Sequence, residues 1–361
     1  MLSFFGDIFY FFFKKIRILN HKQKNINLKK KKIIGKKIFI YFIKNCKILT
    51  NSVDDAAYIT DSKVIEGPSY QYRNSLNSSI KNNFVFKFKK LKFLKRINGN
   101  LVSLITGGAA KHNYGHWLFD VLSKFLIIKE NYNFKKNDYF YVPSFRYQFQ
   151  KDSLKYLKIN PKQIIDSEKN KYVFSKKIIC SDHPFNHKFN QINKKIILSL
   201  RSAFLKFKKK SKTNRYSKIF INRDYSNFNL SKKNLINYRN ERILLNNLEV
   251  QSFLKKKGFR TITLHNKSFA DQIKIFSQAK VIVCLYGAEL SNLIFCSKKT
   301  SVIEIKNKTK NYDFLNLSKK LGLNHYQINL KVKFKSSVQQ NGIMYCSTDK
   351  ISKILEKITN N

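Results

Sequence analysis

Apolar residues along this chain fall into two rhythms. Residues 280–286 (Lys-Val-Ile-Val-Cys-Leu-Tyr) form a near-continuous apolar run of strand length, and residues 301–305 (Ser-Val-Ile-Glu-Ile) form a second. Between them, Gly287-Ala288-Glu289-Leu290-Ser291-Asn292 starts a short helix-like stretch. Strand, glycine turn, helix, strand is the unit that sets a ligand at the carboxyl ends of a parallel sheet. The glycine allows close backbone approach, and the helix start offers N–H groups to an anion.

The second half continues this alternation. Residues 218–222 read as a strand, and 239–257 as a helix with Leu244, Leu248 and Leu254 on its apolar side and Gly258 as its stop. A strand at 261–264 follows. Ser268 with Asp271 then opens a helix that runs to Ala279. A helix at 313–320 stopped by Gly322 and a strand at 325–328 complete the series. Repeated β-α-β order with right-handed crossovers predicts a doubly wound, Rossmann-like domain.

The first half is less regular. Strands are expected at 84–88, 139–142, 172–174 and 178–180. One helix stands out over 114–130, with Trp117, Val121, Phe125 and Ile128 at steps of three and four. The basic, aperiodic residues 206–215 read as an interdomain linker. The expected organisation is an amino-terminal basic and aromatic segment at 1–37, an α/β lobe at 38–205, a Rossmann-like lobe at 216–330, and an extension at 331–361 packing back on the lobes.

Composition changes the picture in three places. The net charge of +51 suggests a polyanionic partner. Yet Lys is spread over the whole chain, as compositional drift towards Lys, Asn, Ile and Phe would leave it, so a dedicated nucleic-acid partner is not expected. Five widely spaced cysteines without C-x-x-C or zinc spacing fit a reducing, cytoplasmic setting. No apolar stretch reaches the length of a membrane span. Residues 1–17 crowd Phe, Leu and Ile ahead of Lys14, Lys15 and Arg17, in the wrong order for a signal peptide. They read either as an interfacial anchor on the inner, anionic face of the cytoplasmic membrane or as a helix packed on its own domain.

His116 is the first candidate for chemistry. It lies in Asn113-Tyr-Gly-His116-Trp117-Leu-Phe-Asp120, after Gly107-Gly108, and Asp120 four residues on shares its helical face. Such a histidine can accept a proton from a hydroxyl, or can simply cap a helix or fill a core. Asn222-Arg223 follows a strand, where a guanidinium can clamp phosphate. Arg242 falls on the next expected helix with Asn246 and Glu249 after it, which also suits a surface ion pair. Tyr286 and Glu289 flank Gly287. Glu304 in an apolar strand needs a partner or a ligand hydroxyl such as a ribose diol. No Asp-x-Asp, P-loop or G-x-G-x-x-G occurs, so a metal–diphosphate site and simple dinucleotide binding are not expected.

Taken in order, these stretches resemble the family 61 glycosyltransferases of capsule and lipopolysaccharide loci and their eukaryotic relatives. The matching segments are 113–120, Asn222-Arg223, 242–250, 268–279, Gly287-Ala288-x-Leu290-x-Asn292-x-x-Phe295 and Val302-Ile303-Glu304. Tyr286 stands where the family usually has His, and Ile243 where it has a second Arg. The resemblance implies a GT-B-like α/β architecture of two Rossmann-like lobes facing a central cleft. It implies metal-independent, inverting transfer of a hexose or pentose from a nucleotide sugar, UDP-linked as first choice, to a glycan or lipid-linked acceptor. No further cofactor is expected. His116 and Asp120 would be catalytic. Asn222, Arg223, Arg242, Tyr286, Gly287, Ala288, Glu289, Asn292 and Glu304 would hold the donor, and Asn113 and Trp117 the acceptor. The rivals are a basic nucleic-acid-binding protein and an inactive relative acting as an assembly partner.

Overall fold

The structure is a computed structural model that describes residues 17–19, 27–33, 38–50, 56–69, 85, 93–105, 110–185, 189–208, 216–223, 235–238, 240–265, 267–334 and 336–360. Apart from Val85, the strand expected at 84–88 lies outside these, as do Gly107-Gly108, most of the linker and most of residues 1–37. The chain divides into two compact units, Met1–Leu200 and Arg201–Asn361.

The first unit is built on a nine-stranded mixed sheet. Its strands are β1 (Arg17–Leu19), β2 (Leu28–Ile33), β3 (Ile38–Thr50), β4 (Ala56–Thr60), β5 (Lys63–Ile65), β6 (Lys95–Ser103), β7 (Asp138–Val142), β8 (Ile164–Asp166) and β9 (Tyr172–Ser181). The order is β1-β5-β4-β3-β9-β6-β7-β8, with β2 also on β3. β6, β7, β8 and β9 pair in parallel, whereas β3 is antiparallel to β2, β4 and β9. This departs from the all-parallel sheet of a Rossmann-like lobe. The predicted strands at 172–174 and 178–180 are one continuous strand, because alternate residues between them still face the core.

Helix α1 crosses this sheet in three parts: a turn at Tyr114–His116, a π-helical segment at Trp117–Val121 and a regular stretch at Leu122–Lys129. Trp117, Val121, Phe125 and Ile128 are all buried, as their spacing predicts. The π segment widens the turn that carries Asp120, a distortion frequent at functional sites. Helices α2 (Gln148–Tyr156) and α3 (Lys194–Leu205) follow.

The second unit matches its prediction more closely. Strands β10 (Lys218–Asn222), β12 (Arg260–Thr263), β13 (Val281–Leu285), β14 (Ser301–Asn307) and β15 (Asn324–Leu330) form a parallel sheet in the order β12-β10-β13-β14-β15. β13 and β14 are buried along their whole length, which is why they read as continuous apolar runs. Helices α5 (Phe269–Gln278) and α6 (Asp313–Leu321) lie where expected. Ser268 caps the first, accepting from the Asp271 amide, and Gly322 ends the second in the left-handed conformation at φ 71°.

The helix predicted over 239–257 is corrected. Residues Arg242–Leu244 form strand β11, paired in parallel with β16 (Gly342–Met344), and helix α4 covers only Asn247–Lys256. Leu244 and Leu254 are buried, but Leu248 is 78% exposed. Helix α7 (Thr348–Thr359) adds Ile351 to the core that holds Phe220, Val283, Ile303 and Ile305.

Candidate active site

The strand order of the second unit contains a topological switch point. In an open sheet of this order the chain reverses its winding between β10 and β13, and open α/β sheets in general bind ligands beyond the carboxyl ends of the strands at such a point. Asn222 ends β10 and Arg223 follows it; Tyr286 and Gly287 follow β13. Topology therefore gathers most of the predicted donor residues.

Arg223 Nη2 donates to Glu289 Oε2 at 3.0 Å. Arg242 Nη1 donates to the Tyr286 carbonyl at 3.0 Å, and its Nε donates to Asn341 Oδ1 at 2.9 Å. Its guanidinium also lies over the Tyr286 ring, 5.4 Å from the centroid. Burial first, and the nearby Arg223 second, lower the Arg242 pKa. Lys306 at the end of β14 lies 6.0 Å from the Tyr286 ring centroid. Arg223, Arg242 and Lys306 thus lie near Tyr286 and Glu289, and the carboxylates of Glu241, Glu304 and Asp313 also act on this cluster.

Gly287 is extended at φ 174°, so its backbone needs no glycine. Its role is steric: a Cβ there would overlap the Arg223 guanidinium and the Glu289 carboxylate. The 3-10 helix starting at Ala288 is held by Asn292, whose Nδ2 donates to Gln272 Oε1 at 3.0 Å and to the Glu289 carbonyl at 3.2 Å. Asn292 is fully buried and braces the loop.

Glu304, whose charge reaches Tyr286 and Lys306, is already paired. It sits mid-strand in β14, buried, and its Oε2 meets Gln327 Nε2 at 2.6 Å and His325 Nε2 at 3.1 Å. His325 Nδ1 in turn contacts Ser318 Oγ at 2.7 Å. Of the two ways to compensate a buried carboxylate there, side-chain pairing is the one realised.

The first unit holds the second group. His116 Nδ1–H donates to Asp120 Oδ2 at 2.9 Å, which puts the lone pair of a neutral ring on Nε2. The His116 side chain is 37% exposed, while that of Asp120 is 1% exposed. Burial pushes the Asp120 carboxyl up, but His116 and His183 together outweigh it and hold the group well below the usual carboxylate range.

Two neighbours of this pair were not singled out in the sequence. His183 is buried with Nε2 3.5 Å from Asp120 Oδ2. Lys124 is buried with Nζ donating to the Ile105 carbonyl at 2.7 Å, and burial brings its pKa down to about 8. The available signal for His183 was Asp182-His183-Pro184 directly after an apolar strand.

Asn113 and Trp117, expected on the acceptor side, both have structural partners within the unit. Asn113 Oδ1 caps α1, accepting from the Gly115 and His116 amides. Trp117 is 1% exposed and donates its indole N–H to Ser153 Oγ at 2.9 Å, so it packs the core that supports His116. Among the described residues, no group of three or more His, Cys, Asp and Glu side chains is arranged to hold a metal ion, and no helix is long and apolar enough to cross a membrane.

With this geometry in place, comparison with known families is specific. Residues 114–303, more than half of the chain, match the family model described as Glycosyltransferase 61, and the chain belongs to that family. The match takes in His116, Asp120, His183, Arg223, Arg242 and Glu289. No match was found among curated proteins.

Proposed function

We propose that this protein is an inverting glycosyltransferase that moves a sugar from a nucleotide donor to a hydroxyl of a glycan or lipid-linked acceptor, without a metal ion. The observation that carries the reading is the placement of Arg223 and Arg242 close to each other, beside Glu289 and Tyr286, at the point where the parallel sheet reverses its winding. Two guanidiniums held close together, each partly buried, suit a diphosphate dianion.

The two units divide the chemistry in the manner of a GT-B enzyme. The second binds the donor, with UDP as the first nucleotide to test. The first supplies the base. His116 Nε2 takes the proton from the acceptor hydroxyl as its oxygen bonds to the anomeric carbon. The bond from that carbon to the diphosphate oxygen breaks on the opposite face, inverting the centre. Arg223 and Arg242 stabilise the charge on the departing diphosphate. Asp120 keeps the imidazole in the tautomer that puts the lone pair on Nε2 and steadies the imidazolium that forms. Surface polysaccharide assembly is the setting that fits such an acceptor.

Calorimetric titration with UDP, GDP and CDP in excess EDTA tests this reading. Binding of at least one, weakened about tenfold or more by either Arg223→Ala or Arg242→Ala, is expected. Binding that appears only with Mn²⁺ or Mg²⁺ would overturn the metal-independent assignment.

A further inference from the structure

The Asp120 carboxylate serves two imidazoles, and only one of them can meet a substrate. The side chain of His116 is 37% exposed and that of His183 is 3% exposed. His183 is nevertheless held in a defined orientation. Its neighbour Asp182 is tied to β3 through the Tyr41 hydroxyl at 2.7 Å and the Phe39 amide at 2.9 Å, both donating to its carboxylate. The Phe185 ring packs edge-on against the imidazole at 4.6 Å between centroids.

The tautomer of His183 is fixed as well. The Phe185 backbone N–H donates to His183 Nδ1 at 3.3 Å, so Nδ1 carries the lone pair and the proton resides on Nε2. Nε2 is the atom 3.5 Å from Asp120 Oδ2. At that distance the contact is an ion–dipole attraction rather than a normal hydrogen bond.

We propose that His183 is a positioning residue of the proposed transfer reaction: its neutral Nε2–H shares the Asp120 carboxylate with His116 and so limits how tightly that carboxylate holds a proton on His116. The inference rests on the reading of His116 as the base. A carboxylate answering to His116 alone would favour the imidazolium more, leaving a smaller fraction of the neutral ring that can act as a base. A second imidazole that stays neutral takes up part of the negative potential without adding charge. The surroundings favour that neutral state. Burial lowers the His183 pKa most; Asp120 opposes this, and Lys124 and His116 reinforce it. Among the described residues, the charged and titratable groups around the pair include Lys124 on α1, Cys180 on β9, Asp182 just after it and Tyr41 on β3, which bonds Asp182.

The test is an NMR titration of the histidine side chains in the full chain and two variants. His183→Phe removes the N–H and keeps a ring; His183→Gln keeps an N–H donor. The His116 titration midpoint is expected to rise by about half to one pH unit in His183→Phe and to stay within about 0.2 unit of the parent in His183→Gln, as part of a charge-assisted interaction is lost or kept. An unchanged midpoint in His183→Phe overturns the proposal. If that variant does not fold, the parent decides: His183 must show the Nε2–H neutral signature throughout pH 5–8, and an imidazolium or Nδ1–H signature overturns the proposal. The acid limb of the kcat/KM profile should move with the His116 midpoint. A moved midpoint with an unmoved kinetic limb would sink His116 as the base while leaving the role of His183 intact.

Discussion

Arg242 and Tyr286 hold each other by two separate means. The guanidinium donates to the Tyr286 carbonyl at 3.0 Å and lies over the ring of the same residue. Arg242 thereby fixes the backbone just before Gly287, while its Nε is braced by Asn341. The planar fork is required, so charge alone does not replace it. Arg242→Lys is expected to weaken nucleoside-diphosphate binding about tenfold and to lower the melting temperature by several degrees. A lysine variant matching the parent in both calorimetry and thermal melting would contradict this.

Gly287 separates steric from conformational need. Because its backbone is extended, alanine brings no φ strain, and the clash falls on the mobile ends of Arg223 and Glu289. Gly287→Ala should therefore melt within about 3 °C of the parent yet bind the donor about tenfold more weakly. A large loss of stability with unchanged affinity would reverse the assignment.

Glu304 is expected to serve stability. Removing one member of a buried charged network leaves its partners unsatisfied, at a cost of about 3 kcal/mol. Glu304→Ala should lose about that much in denaturant unfolding, because His325 and Gln327 lose their acceptor. Glu304→Gln should leave donor affinity within about twofold. If the glutamine variant instead loses affinity tenfold with stability retained, Glu304 contacts the donor.

Lys124 gives a pH signature. Its folded pKa is about 8 against an ordinary 10.5, so between these values the unfolded chain binds more protons than the folded one. Stability from this group therefore rises with pH across that window, by up to about 3 kcal/mol. Other groups titrate there too, so the readout is the difference between the parent and Lys124→Met. That difference should move in favour of the parent from pH 8 to 10.5. A flat difference would show that Lys124 is not desolvated.

Legibility in the sequence followed burial. β13 and β14 were legible because both faces are covered, and Ser268 and Gly322 marked helix ends by local chemistry. Arg242 was misplaced because β11 has only three residues and its partner β16 lies far along the chain, so nothing local distinguishes it from the helix that follows. His183 was missed because its meaning is its distance from Asp120, set by β9 running beside β6 and under α1. His116 and Asp120 were legible because a spacing of four needs only a helix to bring them together.

Residues 1–17 carry a proposal of their own, that they bind anionic membrane surface peripherally. Their aromatics lie outside the described residues, and the exposed Lys29, Lys30, Lys31 and Lys32 on β2 add charge nearby in sequence. The full chain should co-sediment with phosphatidylserine vesicles at low salt and release at about 0.5 M NaCl, where screening is strong. Deleting residues 1–17 should reduce binding and leave a cooperative melt. Aggregation of the truncated chain would place these aromatics in the core.

The central claim is that His116 activates the acceptor hydroxyl. It is tested most directly by comparing the transfer rate of parent and His116→Ala with an active nucleotide sugar and acceptor in EDTA, alongside donor affinity. A positioned base contributes ~10²–10⁴-fold. The account predicts a loss in that range with the donor Kd within about threefold. A variant that keeps its rate to within about fivefold would contradict it.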